Sequence, residues 1–109
     1  MQKIKTYDEL QKIINEANSE DIVIVKLGAE WCGPCKQLEK NISTIENEGV
    51  TDIHFYDVDV SDSEDIAEQF NITNIPVMLF FKGGLLINRT IGAINAHMIK
   101  NKIEETKLK

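Results

Sequence analysis

The apolar positions of this chain switch between a helical spacing and short, nearly continuous runs. Leu10, Ile13, Ile14 and Ala17 recur at the spacing of an amphipathic helix. Thr6-Tyr7-Asp8-Glu9 stands before them as a capping box, in which the Thr6 hydroxyl and the Glu9 carboxylate each satisfy an orphan backbone donor. Asn18 to Asp21 breaks the pattern. Ile22-Val23-Ile24-Val25-Lys26-Leu27 follows, β-branched and almost wholly apolar, as a strand buried on both faces should be. A second helix is predicted from just past Cys32 to about Glu48, with Cys35, Leu38, Ile42 and Ile45 inward and Gly49 at the C′ position. Ile53 to Val60 reads as the next strand, carrying Asp57 and Asp59 on one side. Ser61-Asp62-Ser63-Glu64 has the form of another capping box, opening a short helix through Ile66, Ala67 and Phe70.

Beyond Pro76 the period becomes that of strands. Val77 to Phe81 and Leu85 to Ile91 flank Lys82-Gly83-Gly84, a hairpin turn by its glycines. Gly92 separates the hairpin from a last helix, Asn95 to about Lys107, capped by Asn95 and packed through Ile99 and Ile103. With a short first strand near Ile4 the order is β-α-β-α-β-α-β-β-α. That order predicts one α/β domain over residues 1–109, a central mixed sheet of about five strands with about four helices on its two faces.

Composition narrows the function classes. A chain of 109 residues, 42% hydrophobic and 28% charged, buries a real core without a metal or a disulfide framework. The longest apolar run, Val77 to Phe81, is far short of the roughly 18 residues of a membrane helix. A net charge of −6 argues against general binding to nucleic acid or anionic membranes. Met1 to Thr6 lacks the apolar h-region of a secretory signal, so the expected setting is the cytoplasm and the expected state a soluble monomer. The two cysteines lie too close together for their bridge to act as a structural staple.

Their placement carries the chemical argument. Trp31-Cys32-Gly33-Pro34-Cys35-Lys36 falls at a strand-to-helix junction. The unpaired N–H groups of a helix's first turn stabilise a thiolate there, and the thiolate is the attacking species in disulfide exchange. Cys32 is therefore placed as a nucleophile. Pro34 fits an early helical position without losing a hydrogen bond, and it stiffens the turn. Cys35, one turn in and facing the core, is sheltered from outside thiols and placed to attack a mixed disulfide on Cys32.

A bare Cys-x-x-Cys is shared with zinc sites and haem attachment. Zinc needs about four ligands, and only His54 and His97 remain, neither at ligand-like spacing, so no metal is expected. His54 reads as a strand-end side chain and His97 as an exposed helix residue. Lys36 excludes the haem motif, which requires histidine there. The full six-residue motif after a buried strand, Asn74-Ile75-Pro76 about forty residues on, a Lys-Gly-Gly hairpin and Gly92 together resemble the thioredoxin family, from about residue 4 to 107. The resemblance implies that Cys32 attacks and Cys35 resolves, and that a cis peptide bond precedes Pro76. It also implies that Trp31, Gly33, Pro34, Ile75, Pro76, Gly92 and Ala93 form a shallow docking surface, with the backbone of Ile75 pairing with an extended substrate. No cofactor would bind permanently; electrons would come from NADPH through a flavin-containing thioredoxin reductase, and the clients would be protein disulfides. Taken alone, Gly92 also reads as an ordinary turn and Trp31 as a core aromatic.

Lys26 stands where the family usually has a buried Asp, and Asp57 where it usually has Lys, so the pair has reversed polarity. Gly28 replaces a usual aromatic, and Lys40 replaces a proline that commonly kinks the second helix. An ammonium accepts no proton; near Cys35 it would stabilise a thiolate, favour the reduced state and make a milder reductant. The alternative is that Lys26 and Asp57 neutralise one another. Three functions follow: a dithiol–disulfide reductase, an oxidant or isomerase using the same cysteines, and a binding module in which the redox site is incidental. The retained motif and the missing export signal favour the first.

Overall fold

The computed structural model describes residues 1–109. Its elements are β1 (Gln2–Lys3), α1 (Tyr7–Glu16), β2 (Ile22–Gly28), α2 (Gly33–Glu46), β3 (Ile53–Asp59), α3 (Glu64–Gln69), β4 (Val77–Lys82), β5 (Leu85–Ile91) and α4 (Ala96–Lys107). The five strands form one sheet in the order β1-β3-β2-β4-β5. β1, β3 and β2 run parallel, while β4 and β5 run antiparallel to their neighbours. β2 is central, and all seven of its residues are buried.

Alternation along the strands divides the core in two, because successive strand residues face opposite sides of the sheet. Val23, Val25, Leu27, Val58, Val77, Leu79 and Phe81 pack with Leu10 and Ile14 of α1 and Ile66 of α3. Ile22, Ile24, Phe55, Met78 and Phe80 face the other way, against Leu38, Ile42 and Ile45 of α2 and Ile99 and Ile103 of α4. Lys26, Gly28, Asp57 and Asp59 continue the second set in parity. The chain thus places its buried lysine and its two acidic strand residues on the α2 side of the sheet.

The local signals account for the boundaries in most places. Thr6 Oγ1 accepts from Glu9 N at 3.1 Å, and Glu9 Oε1 accepts from Lys5 N at 2.7 Å, so the reciprocal cap forms one residue wide of the usual pattern. Asn95 Oδ1 accepts from Met98 N at 2.9 Å and caps α4. Gly83 and Gly84 have φ of 60° and 79°, the left-handed pair that a two-residue hairpin turn between β4 and β5 needs. α2 includes Lys40 within its span. Its helical span ends at Glu46, two residues short of Glu48.

The second capping box is not formed. The N-cap of α3 is Ser63 and its side chain makes no cap hydrogen bond. Asp59 Oδ1 instead accepts from Ser61 N at 2.8 Å, closing an Asx turn that uses the residues before the helix.

Candidate active site

Cys32 is the N-cap of α2, with φ −94° and ψ 112°; Gly33 and Pro34 open the helix. Pro34 has no N–H to lose at this position. Cys32 Sγ accepts from Cys35 N at 3.2 Å, so the sulfur sits where a capping oxygen usually sits and receives an orphan helix donor. Cys32 and Cys35 form a disulfide, with their Cα atoms 5.3 Å apart. Cys32 keeps 6% of its surface exposed and Cys35 none. The two cysteines are thereby unequal: one retains some contact with solvent, and the other is fully enclosed.

Ile75 and Val60 pack against the cluster of Ala29, Cys32 and Cys35. The Ile75–Pro76 peptide bond is cis, as the resemblance implied. Ile75 lies outside the strands, and its backbone N–H and C=O make no hydrogen bond within the chain. Gly92 N donates to Pro76 O at 2.8 Å, which ties the turn after β5 to the segment before β4. The structure thus brings Cys32, Cys35, Ile75, Pro76 and Gly92 to one end of the sheet. Trp31 is 76% exposed there and is not a core aromatic. Gly33 and Pro34 are exposed, while Ala93 is half-buried against the α2–α4 core. Gly92 has φ +90°, and a Cβ there would meet nothing within 4 Å; backbone conformation already requires glycine, and the space above it is open.

Behind the disulfide lies a different environment. Lys26 and Asp57 are direct register partners on adjacent strands. The expected pair is in fact a triad: Lys26 Nζ donates to Glu39 Oε1 at 2.6 Å and stands 3.0 Å from Asp57 Oδ1. The second contact is close enough for a strong ion pair but lies off the direction of a hydrogen bond, and Asp57 Oδ1 has no hydrogen-bond partner. The Lys26 side chain is 3% exposed, that of Asp57 16% and that of Glu39 46%. Glu39 escaped the sequence reading, although a signal exists: it lies four residues after Cys35, on the same helix face.

Gly28 explains why this lysine's stem can lie so close to Cys35 Sγ. A Cβ built there would stand 2.9 Å from Cys35 Sγ and 3.0 Å from Lys26 Cε. The volume released by the missing side chain is occupied by the lysine stem and the sulfur. Beyond them opens a polar cavity of about 460 Å³, lined by the triad together with Lys3, Glu30, Lys36 and Asp59. His54 and His97 lie elsewhere: His54 Nε2 is 2.8 Å from Asp21 Oδ2, and His97 is exposed on α4. No cluster of three or more His, Cys, Asp or Glu side chains is arranged to hold a metal ion.

A redox pair at a helix N-terminus, flanked by a cis-proline loop, decides the kinship when set beside known proteins. The family model described as Thioredoxin matches residues 2–105. The chain belongs to the thioredoxin family. It is 36% identical to thioredoxin-2 of Saccharomyces cerevisiae over 87 residues, covering 80% of this chain and 82% of the relative. The solved thioredoxin of Fasciola hepatica superposes with a TM-score of 0.88 at 30% identity, covering 97% of this chain and 99% of that one. Oxidised mitochondrial thioredoxin 3 of Saccharomyces cerevisiae gives a TM-score of 0.85 at 28% identity, covering 96% and 94%. The thioredoxin fold and a thiol–disulfide oxidoreductase activity at Cys32–Cys35 follow from this membership and this geometry.

Proposed function

We propose that this thioredoxin works in the reducing direction on disulfides of other proteins, with Cys32 as nucleophile and Cys35 as resolving thiol. The unequal exposure of the two sulfurs at the start of α2 supports this reading most directly. Cys32 thiolate attacks one sulfur of the client disulfide; a Cys32–client disulfide forms and the other client sulfur leaves as thiolate. Cys35, having given up its proton, then attacks Cys32 Sγ. The Cys32–Cys35 bond forms, the second client sulfur leaves and is protonated, and two electrons have passed from this chain to the client. Trp31, Gly33, Pro34, Ile75, Pro76, Gly92 and Ala93 form the docking surface, and the unpaired backbone groups of Ile75 supply strand-like pairing with the client.

The internal disulfide is reduced again by a flavin-containing thioredoxin reductase drawing on NADPH. The protein acts as a single-domain monomer in the cytoplasm. No helix is long and apolar enough to cross a membrane.

Cys35→Ser is the test. The variant should accumulate client adducts on Cys32 that dithiothreitol releases, seen as mass increments on the intact protein, while Cys32→Ser accumulates none. A Cys35→Ser protein that carries no adduct after exposure to a disulfide-bonded protein would contradict the assignment.

A further inference from the structure

Within that reading, the triad behind the disulfide assigns a role to a residue that the motif does not contain. We propose that Glu39 is a positioning residue that holds the Lys26 ammonium and adds a second carboxylate to it, so that Cys35 resolves the mixed disulfide beside a triad of net negative charge.

Three observations carry the argument. First, the end of the lysine stem is close to the sulfur: Cys35 Sγ and Lys26 Cε both stand about 3 Å from the point where a Gly28 Cβ would lie, so they are within about 6 Å of one another and the ammonium is one bond further on. Second, the ammonium is buried and its one hydrogen bond to a carboxylate goes to Glu39, at 2.6 Å; the Asp57 contact is an ion pair without hydrogen-bond geometry. Third, Glu39 follows Cys35 by one helical turn on α2, so its carboxylate pulls Lys26 along the helix face on which the sulfur sits.

The charge count settles the sign. Lys26 against Asp57 alone would leave a neutral pair. Adding Glu39 makes the triad −1. Lys36 from α2 and Lys3 from β1 line the same cavity, opposed by Glu30 and by Asp59 of β3. A nearby cation favours thiolate and a nearby anion disfavours it. Removing the Glu39 charge therefore makes the surroundings of Cys35 more positive by one, and Cys35 becomes a thiolate at lower pH. Glu39 is half exposed and screened by water, so the effect stays modest.

The experiment follows the reduced protein with the disulfide dimer of thionitrobenzoate, which colours as each thionitrobenzoate leaves. The first release reports attack by Cys32, and the second reports attack by Cys35 on the mixed disulfide. Glu39→Gln should lower the pH midpoint of the second phase by roughly half a unit to one unit. Below that midpoint the second phase should run about two- to threefold faster, because the gain in thiolate outweighs the accompanying loss of nucleophilicity. Glu39→Asp, which keeps the charge, should restore the wild-type midpoint. An unchanged midpoint in Glu39→Gln overturns the proposal, and so does a raised one, which would make Glu39 an acceptor of the Cys35 proton instead. If wild-type protein releases only one thionitrobenzoate, the resolving role of Cys35 falls and this proposal falls with it. A normal two-phase wild type with an unmoved variant removes the Glu39 assignment alone.

Discussion

Position 28 governs the site at the scale of single residues by having no side chain. Gly28 is buried on the α2 side of β2, two residues from Lys26, and a methyl group there would press on Cys35 Sγ and on the lysine stem together. Gly28→Ala should destabilise the folded protein by about 1–3 kcal/mol, the usual cost of overpacking, against a gain of about 0.4–1 kcal/mol from a less flexible unfolded chain. The midpoint of urea unfolding of the oxidised protein checks this, and an unchanged or raised midpoint contradicts it. The charged residues were legible in part. Lys26 and Asp57 are paired by strand register, so reading two parallel strands side by side is enough to bring them together. Glu39 was hidden because a polar residue beside an inward helix stripe ordinarily faces solvent; its spacing of four from Cys35 puts it on the right helix face but does not reveal that a buried lysine reaches it from β2. The third member changes the chemistry: an ammonium with two carboxylates around it does not act as a free cation beside the sulfur.

At the scale of elements, the β2–α2 junction holds the two cysteines and the β4–β5 hairpin holds the other side of the site. The hairpin begins at the cis-proline and ends at Gly92, whose N–H closes back onto Pro76 O. Its turn depends on two left-handed residues. Gly84→Ala meets no crowding, since its nearest neighbour would be Asn15 Oδ1 at 3.6 Å, yet φ of +79° is strained for any residue with a Cβ. The expected cost is about 1–2 kcal/mol in thermal or denaturant unfolding, with the reduction chemistry at Cys32 unchanged; a neutral substitution would contradict the turn assignment. The elements were readable because period and punctuation agree: continuous β-branched runs for the buried strands, stripes three and four apart for α1 and α2, and asparagine, threonine or glycine at most boundaries. The exception is instructive. Ser61-Asp62-Ser63-Glu64 carries a capping-box pattern, but Asp59 takes Ser61 N–H for an Asx turn, and the helix starts two residues later at Glu64. A pattern of four residues does not tell which of two local hydrogen bonds will win.

For the whole molecule, strand alternation separates two apolar cores and leaves the disulfide at one end of the sheet, between an open face and a polar cavity. The open face carries Trp31, the cis-proline loop and Gly92; the cavity carries the Lys26 triad. In the proposed reaction a client reaches Cys32 from the first, while the charge felt by Cys35 is set from the second. The sequence alone left two readings of the reversed polarity, a retuned mild reductant or a self-neutralised pair; the structure adds a second carboxylate, Glu39, beside Asp57 around the ammonium. The account is tested most directly by the equilibrium reduction potential of the Cys32–Cys35 pair, measured in a glutathione or dithiothreitol redox buffer at neutral pH. A site in which two carboxylates offset the Lys26 ammonium should give a value more negative than the cytosolic glutathione poise of roughly −220 to −260 mV, as a disulfide reductase requires. A value near the roughly −180 mV of a disulfide isomerase would mean that the Lys26 charge reaches the sulfurs unopposed, and it would contradict both the role given to the two carboxylates and the reducing direction.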